Sequence, residues 1–148
     1  MTHDKRDWYQ VSLKLILKNK KGEVLVLKTL ETGNFAGYHD LPGGRIDTDE
    51  FVVSFNNILK REVKEEVGDI DFGMHPIPIA VARANFASKD KDIRILYLFF
   101  EANYIDGNVT ISNEHADYLW VDLNIINPTT YFLPGIREGI EMYMKKIT

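Results

Sequence analysis

Three carboxylates, Glu62, Glu65 and Glu66, stand close together in the run Arg61-Glu62-Val63-Lys64-Glu65-Glu66-Val67-Gly68. On a helix, positions i, i+3 and i+4 share one narrow face, so the three acids crowd a single patch. Glu62 and Glu66 then repel at a cost of about 0.2–0.5 kcal/mol in an isolated helix, and the arrangement calls for a counter-charge. A hard divalent cation with a preference for oxygen ligands, Mg2+ or Mn2+, supplies one. Most Glu-rich helix faces are simply solvated, so the surrounding sequence has to decide between the two readings. Upstream lies Leu41-Pro42-Gly43-Gly44-Arg45-Ile46-Asp47-Thr48-Asp49-Glu50. A diglycine permits positive φ and lets backbone approach a ligand closely, which suits a diphosphate beside a metal.

Together these residues resemble the signature of the Nudix hydrolases: Gly, five residues, Glu, seven residues, then Arg-Glu-apolar-x-Glu-Glu-x-Gly-apolar. Gly44 and Glu50 keep the first interval, and Arg61, Glu62, Val63, Glu65, Glu66 and Gly68 fill the second half. There are two departures. Ten residues rather than seven separate Glu50 from Arg61, and Asp69 holds the last apolar position, with Ile70 one place later.

The resemblance implies an α/β/α sandwich, a mixed sheet flanked by helices, formed by a single domain over residues 1–148. It also implies Mg2+- or Mn2+-dependent hydrolysis of a phosphoanhydride in a nucleoside diphosphate linked to another moiety. Glu62, Glu65 and Glu66 are the expected metal ligands, and Glu62 or Glu114 the expected base. Gly43, Gly44, Arg45 and Arg61 are expected to contact substrate or shape the site. Glu50 is expected near the metal-binding acids and the arginine. A nucleoside triphosphate, an ADP-ribose-like compound and a dinucleoside polyphosphate all remain open as substrates.

The extra residues are placed by capping. A helix reaching Arg61 needs a side-chain acceptor at its start, and Ser54 fits as N-cap. Phe51-Val52-Val53 is then the insertion, which lengthens the loop and leaves the helix in register. Phe55, Leu59, Val63 and Val67 form the core-facing i, i+4 ridge, with the acids flanking it. Gly68 suits a helix end with positive φ. Arg61 either pairs with Glu65 at i, i+4 or holds the acids in shape, and the resemblance favours the second.

The chain has 148 residues, 45% of them hydrophobic, enough for one domain with a real core. It contains no cysteine, which excludes disulfides, thiolate metal sites and a cysteine nucleophile. Met1 to Asp7 lacks a following apolar segment, and no apolar run approaches the ~18–20 residues of a membrane span, so a soluble, cytoplasmic protein is expected. A net charge of −4 argues against extended nucleic-acid binding. The expected partner is a small nucleotide, and a homodimer is compatible with an exposed apolar edge. Lys89-Asp90-Lys91-Asp92 reads as a solvated loop.

Around the motif, Trp8 to Leu17 alternates as a half-buried strand, with Val11, Leu13, Leu15 and Leu17 on one side and Ser12 and Lys14 on the other. Asn19 to Gly22 is a turn and Val24 to Leu27 the returning strand of a hairpin. Thr32 to Gly37 is a surface loop. Further strands are expected at Ile77–Phe86, Ile93–Ala102, Val109–Ile111 and Tyr118–Val121, with a turn at Asp106-Gly107. Glu114, in the loop before the last strand, resembles an acid that some Nudix enzymes use as an extra metal ligand or base; His115 and Asp117 have weaker cases. Gly135 to Lys146 fits an amphipathic helix burying Ile136, Ile140, Tyr143 and Met144. Arg45, Arg83 and Arg94 could hold phosphate, and Tyr38, Phe86, Tyr131 and Phe132 could stack on a base. Two rival functions remain. An isoprenoid diphosphate isomerase of related fold is disfavoured by the absence of cysteine. A non-catalytic nucleotide-binding regulatory domain would be free to lose the three helix acids, all of which are present.

Overall fold

A computed structural model describes residues 5–87 and 90–146, so Met1 to Asp4 and Lys89 lie outside the described residues. Its centre is β1 (Gln10–Lys18), which runs parallel to β7 (Asp92–Asp106), Leu13 opposite Leu98. On its other side β1 pairs antiparallel with β4 (Gly43–Arg45), and at its far end with β2 (Val24–Lys28). The β1–β2 ladder amounts to Lys18 opposite Val24, so the expected hairpin splays apart just beyond its turn. β2 then pairs with β3 (His39–Asp40) and with β8 (Asp117–Val121), while β7 carries β5 (Asp71–Met74) and β6 (Ala80–Ala87).

Alternation along β1 sends side chains to both faces of this mixed sheet, and both faces are covered. Leu13, Leu15 and Leu17 pack with Ile58, Leu59, Val63 and Val67 of α1 (Phe55–Val67). Ile16 packs on the opposite face with Ile136, Ile140 and Tyr143 of α3 (Ile136–Lys146), and α2 (Pro128–Tyr131) lies beside α3. The layering is therefore α/β/α. No described helix is long and apolar enough to cross a membrane.

Several expectations need correction. Ser12 and Lys14 do not face water: the α3 side buries both. Phe55 is half exposed, and Ile58 takes its place on the buried ridge. Val109 to Ile111 forms no strand; Thr110 and Ser112 donate their N–H groups to the carbonyls of Val67 and Glu66 at 2.9 Å each, so this segment caps the end of α1. Asp92 belongs to β7 rather than to a loop, paired with Ala87. The helix boundaries hold. Ser54 accepts from the Asn57 N–H at 3.2 Å, and Gly68 closes α1 with φ 89°.

Candidate active site

The acids sit where α1 passes the diglycine loop. Gly43 has φ 136°, and a Cβ there would lie 1.9 Å from the Leu13 carbonyl oxygen. A Cβ on Gly44 would lie 2.5 Å from the Glu62 carboxylate. Both glycines are thus required by close approach, one to β1 and one to an acid of α1. The Gly43 N–H in turn donates to Glu66 Oε1 at 2.7 Å.

The three helix acids meet different fates. Glu65 is mostly exposed and takes Arg61 Nη1 on its oxygens at 3.2 and 3.3 Å. Glu62 is largely buried, 3.1 Å from Arg61 Nη2, and burial raises its pKa. Glu66 is 5% exposed; burial pushes its pKa up to about 8, against the opposing pull of Lys14 and the Gly43 N–H. Arg61 also grips Glu50, with Nε at 3.0 Å and Nη2 at 2.8 and 2.9 Å. Glu50 accepts the Asp47 N–H as well, the larger cause of its lowered pKa, with Arg61 adding to it. Arg61 thereby joins Glu50, Glu62 and Glu65, answering both readings made of it, and the insertion leaves Glu50 within its reach. Phe51 and Val52 project into solvent, 92% and 89% exposed.

Glu66 faces a different set. Donor atoms of Glu66, Glu114 and His115 all lie within 4.8 Å of one another, the one such group among the described residues. The loop bearing Glu114 and His115 is pinned at both ends, Ser112 N–H to the Glu66 carbonyl and Ala116 N–H to the Lys28 carbonyl, each 2.9 Å. His115 Nδ1 is buried without a hydrogen-bond partner, 4.0 Å from Glu66 Oε2, and burial holds its pKa below the ordinary histidine value. A buried carboxylate that resists ionisation beside an orphaned imidazole nitrogen fits a divalent cation, which would supply the missing charge and the missing partner.

Behind Glu66 lies Lys14, whose Nζ is 3.1 Å from Asp40 and donates to the Leu41 carbonyl at 3.3 Å. Burial alone would lower the Lys14 pKa; Asp40 and Glu66 more than offset it, and the ammonium is held charged. Lys14 and Asp40 stand on one wall of a cavity of about 390 Å³ whose apolar lining includes Phe35, Phe86, Tyr97 and Leu133. Phe35 and Phe86 meet edge to face at 5.6 Å. Gly44 and Arg45 join this cavity to the acids.

Of the remaining candidates, Phe86 is in the cavity, while Tyr131 stacks on His39 at 3.9 Å and Phe132 is in the core. Tyr38 lies beneath the Arg137 guanidinium. Arg45 donates to Gln10 at 2.8 Å, Arg83 to the Tyr9 hydroxyl at 3.1 Å, and Arg94 pairs with Asp7. Lys14, Asp40 and Phe35 were not foreseen. Ile16, two residues on and strongly apolar, was the available signal that the Lys14 face is also covered.

An acidic helix clasped to a diglycine loop on this sheet defines a hydrolase class that the wider comparison names: the NUDIX domain pattern matches residues 8–141, and the chain belongs to the Nudix hydrolase family. It is 27% identical over 134 residues to nucleoside triphosphatase NudI of Escherichia fergusonii, covering 82% of this chain and 93% of that one. Its fold is similar to a MutT protein of Methanosarcina mazei, with a TM-score of 0.74, 29% identity and coverage of 95% and 96% of the two chains. The dihydroneopterin triphosphate pyrophosphohydrolase of E. coli shares the fold at 17% identity, with a TM-score of 0.67 over 95% and 99%.

Proposed function

We propose that this chain is a divalent-metal-dependent pyrophosphohydrolase acting on a nucleoside triphosphate or a related nucleoside diphosphate derivative. The observation that carries the reading is Glu66, a buried carboxylate whose pKa burial pushes up to about 8, grouped with Glu114 and His115, with Lys14 standing between it and an aromatic-lined cavity. Glu66 and Glu114 would hold Mg2+ or Mn2+, and Glu65 would join them on releasing Arg61. When bound, the cation neutralises phosphate charge and makes a coordinated water more acidic.

Glu62 is the base. Burial raises its pKa, which makes it the stronger base, and its carboxylate lies against Gly44 of the diglycine loop. It takes the proton as water oxygen bonds to phosphorus and the bridging P–O bond breaks, the electron pair leaving with the second phosphate. Arg61 keeps Glu62 oriented, and Arg45, which lines the cavity, would meet a phosphate on releasing Gln10. Phe35, Phe86 and Tyr97 offer an apolar berth of suitable size for a nucleoside. The relative named as a nucleoside triphosphatase supports this substrate class.

The test is a panel of nucleoside triphosphates, ADP-ribose and dinucleoside polyphosphates incubated with Mg2+, with Mn2+ and with chelator. Cleavage of at least one compound, abolished by chelator, is the expected result. Binding across the panel without cleavage would move the regulatory-domain reading ahead.

A further inference from the structure

Among the groups around Glu66, the acids all have some partner or solvent to satisfy them, whereas His115 Nδ1 has neither. The imidazole is 11% exposed, and the chain on both sides of it is hydrogen-bonded to α1 and to β2, so the ring cannot readily turn out to water. Glu66 Oε2 lies 4.0 Å from it, too far for a hydrogen bond yet within the span of two atoms that share one metal ion. Glu114, adjacent in sequence, brings an oxygen into the same 4.8 Å group.

We infer that His115 Nδ1 is itself a ligand, completing with Glu66 and Glu114 a mixed nitrogen–oxygen site that selects Mn2+ over Mg2+. This rests on the reading above that the acids hold a divalent cation. The chemistry follows from ligand type: Mg2+ favours all-oxygen octahedra and keeps its waters, whereas Mn2+ stands at the weak end of a series of metals that accept imidazole nitrogen. Among the Nudix signature residues nothing supplies nitrogen, so any such preference belongs to the loop and not to the helix.

The experiment uses the full chain loaded with Mn2+ alone, read by pulsed electron paramagnetic resonance for coupling to a ligand nitrogen, and by calorimetry with Mn2+ and with Mg2+. Wild-type protein should show a nitrogen coupling that shifts when histidine is 15N-labelled. His115→Gln should lose it and bind Mn2+ about tenfold more weakly, with Mg2+ affinity changed less than about threefold. His75→Gln, at a histidine near Glu101 and away from the acids, should match wild type. Mn2+ bound without histidine nitrogen coupling overturns the inference and leaves the hydrolase reading standing, as does coupling that survives His115→Gln. Failure of the wild-type chain to bind either cation overturns both. Where His115→Gln does not fold, His3→Gln, His39→Gln and His75→Gln decide the matter: the isotope-sensitive coupling should persist in all three, and its loss in any one of them overturns the inference.

Discussion

Two adjacent residues of α1 carry carboxylates with opposite circumstances. Glu65, itself mostly exposed, shares Arg61 with Glu50 and Glu62, so that each of the three acids has the same cationic partner. Glu66, the next residue, is buried against Gly43 with an orphaned imidazole beyond it and a lysine behind. The first arrangement is complete as it stands and fixes the helix to the loop that precedes it. The second costs free energy until something positive arrives, because a desolvated carboxylate and an unpaired nitrogen are both unfavourable. Groups of the second kind are the ones prepared to bind.

The sharpest way to break this contrast is to neutralise each acid in turn. Glu66→Gln should reduce hydrolysis by about 10²–10⁴-fold while leaving the metal-free protein folded. Glu65→Gln should also reduce it sharply, by about 10²-fold, if the acid leaves Arg61 to join the cation. Steady-state rates for the two variants decide this, and a Glu65→Gln enzyme with wild-type rates would confine Glu65 to the ion pair.

Arg61→Gln attacks the satisfied side. It strips three acids of their common partner, and chemical denaturation should show a loss of about 1–3 kcal/mol. If it costs nothing, the clasp on Glu50 is ornamental and the contrast fails.

The smallest effect expected is a pH slope in the unsatisfied side. Because the Glu66 pKa is raised on folding, to about 8, the folded state holds a proton that the unfolded chain gives up near its ordinary value. Stability is therefore full below about pH 4.5 on this account and declines as pH rises through 8. Thermal melts without metal between pH 5.5 and 9 should fall by on the order of 5 °C, and Glu66→Gln should flatten the slope. A wild-type melting temperature that rises across that range would contradict the burial argument.

How much of this was readable in advance depended on whether the signal was local. Ser54, Gly68 and the α1 register followed from capping and periodicity, which act within one turn. The strand expected at Val109 to Ile111 failed because its β-branched residues pack against the end of α1, a tertiary preference that alternation does not report. β5 and α2 are too short to carry a period. Lys14 and His115 were underrated for a shared reason. Each is polar in type and buried by an element distant in sequence, so its importance appears only once the layers are assembled.

The parallel ladder between β1 and β7 has a consequence for biogenesis. As the chain leaves the ribosome, β1, the diglycine loop and α1 are all synthesised before the strand that must lie beside β1, since Leu13 waits for Leu98. Long-range parallel pairing is slow to form, and until it does the apolar residues of β1 have no partner on that edge. Nascent chains arrested before β7 should therefore cling to chaperones, and only completion of that strand should release them.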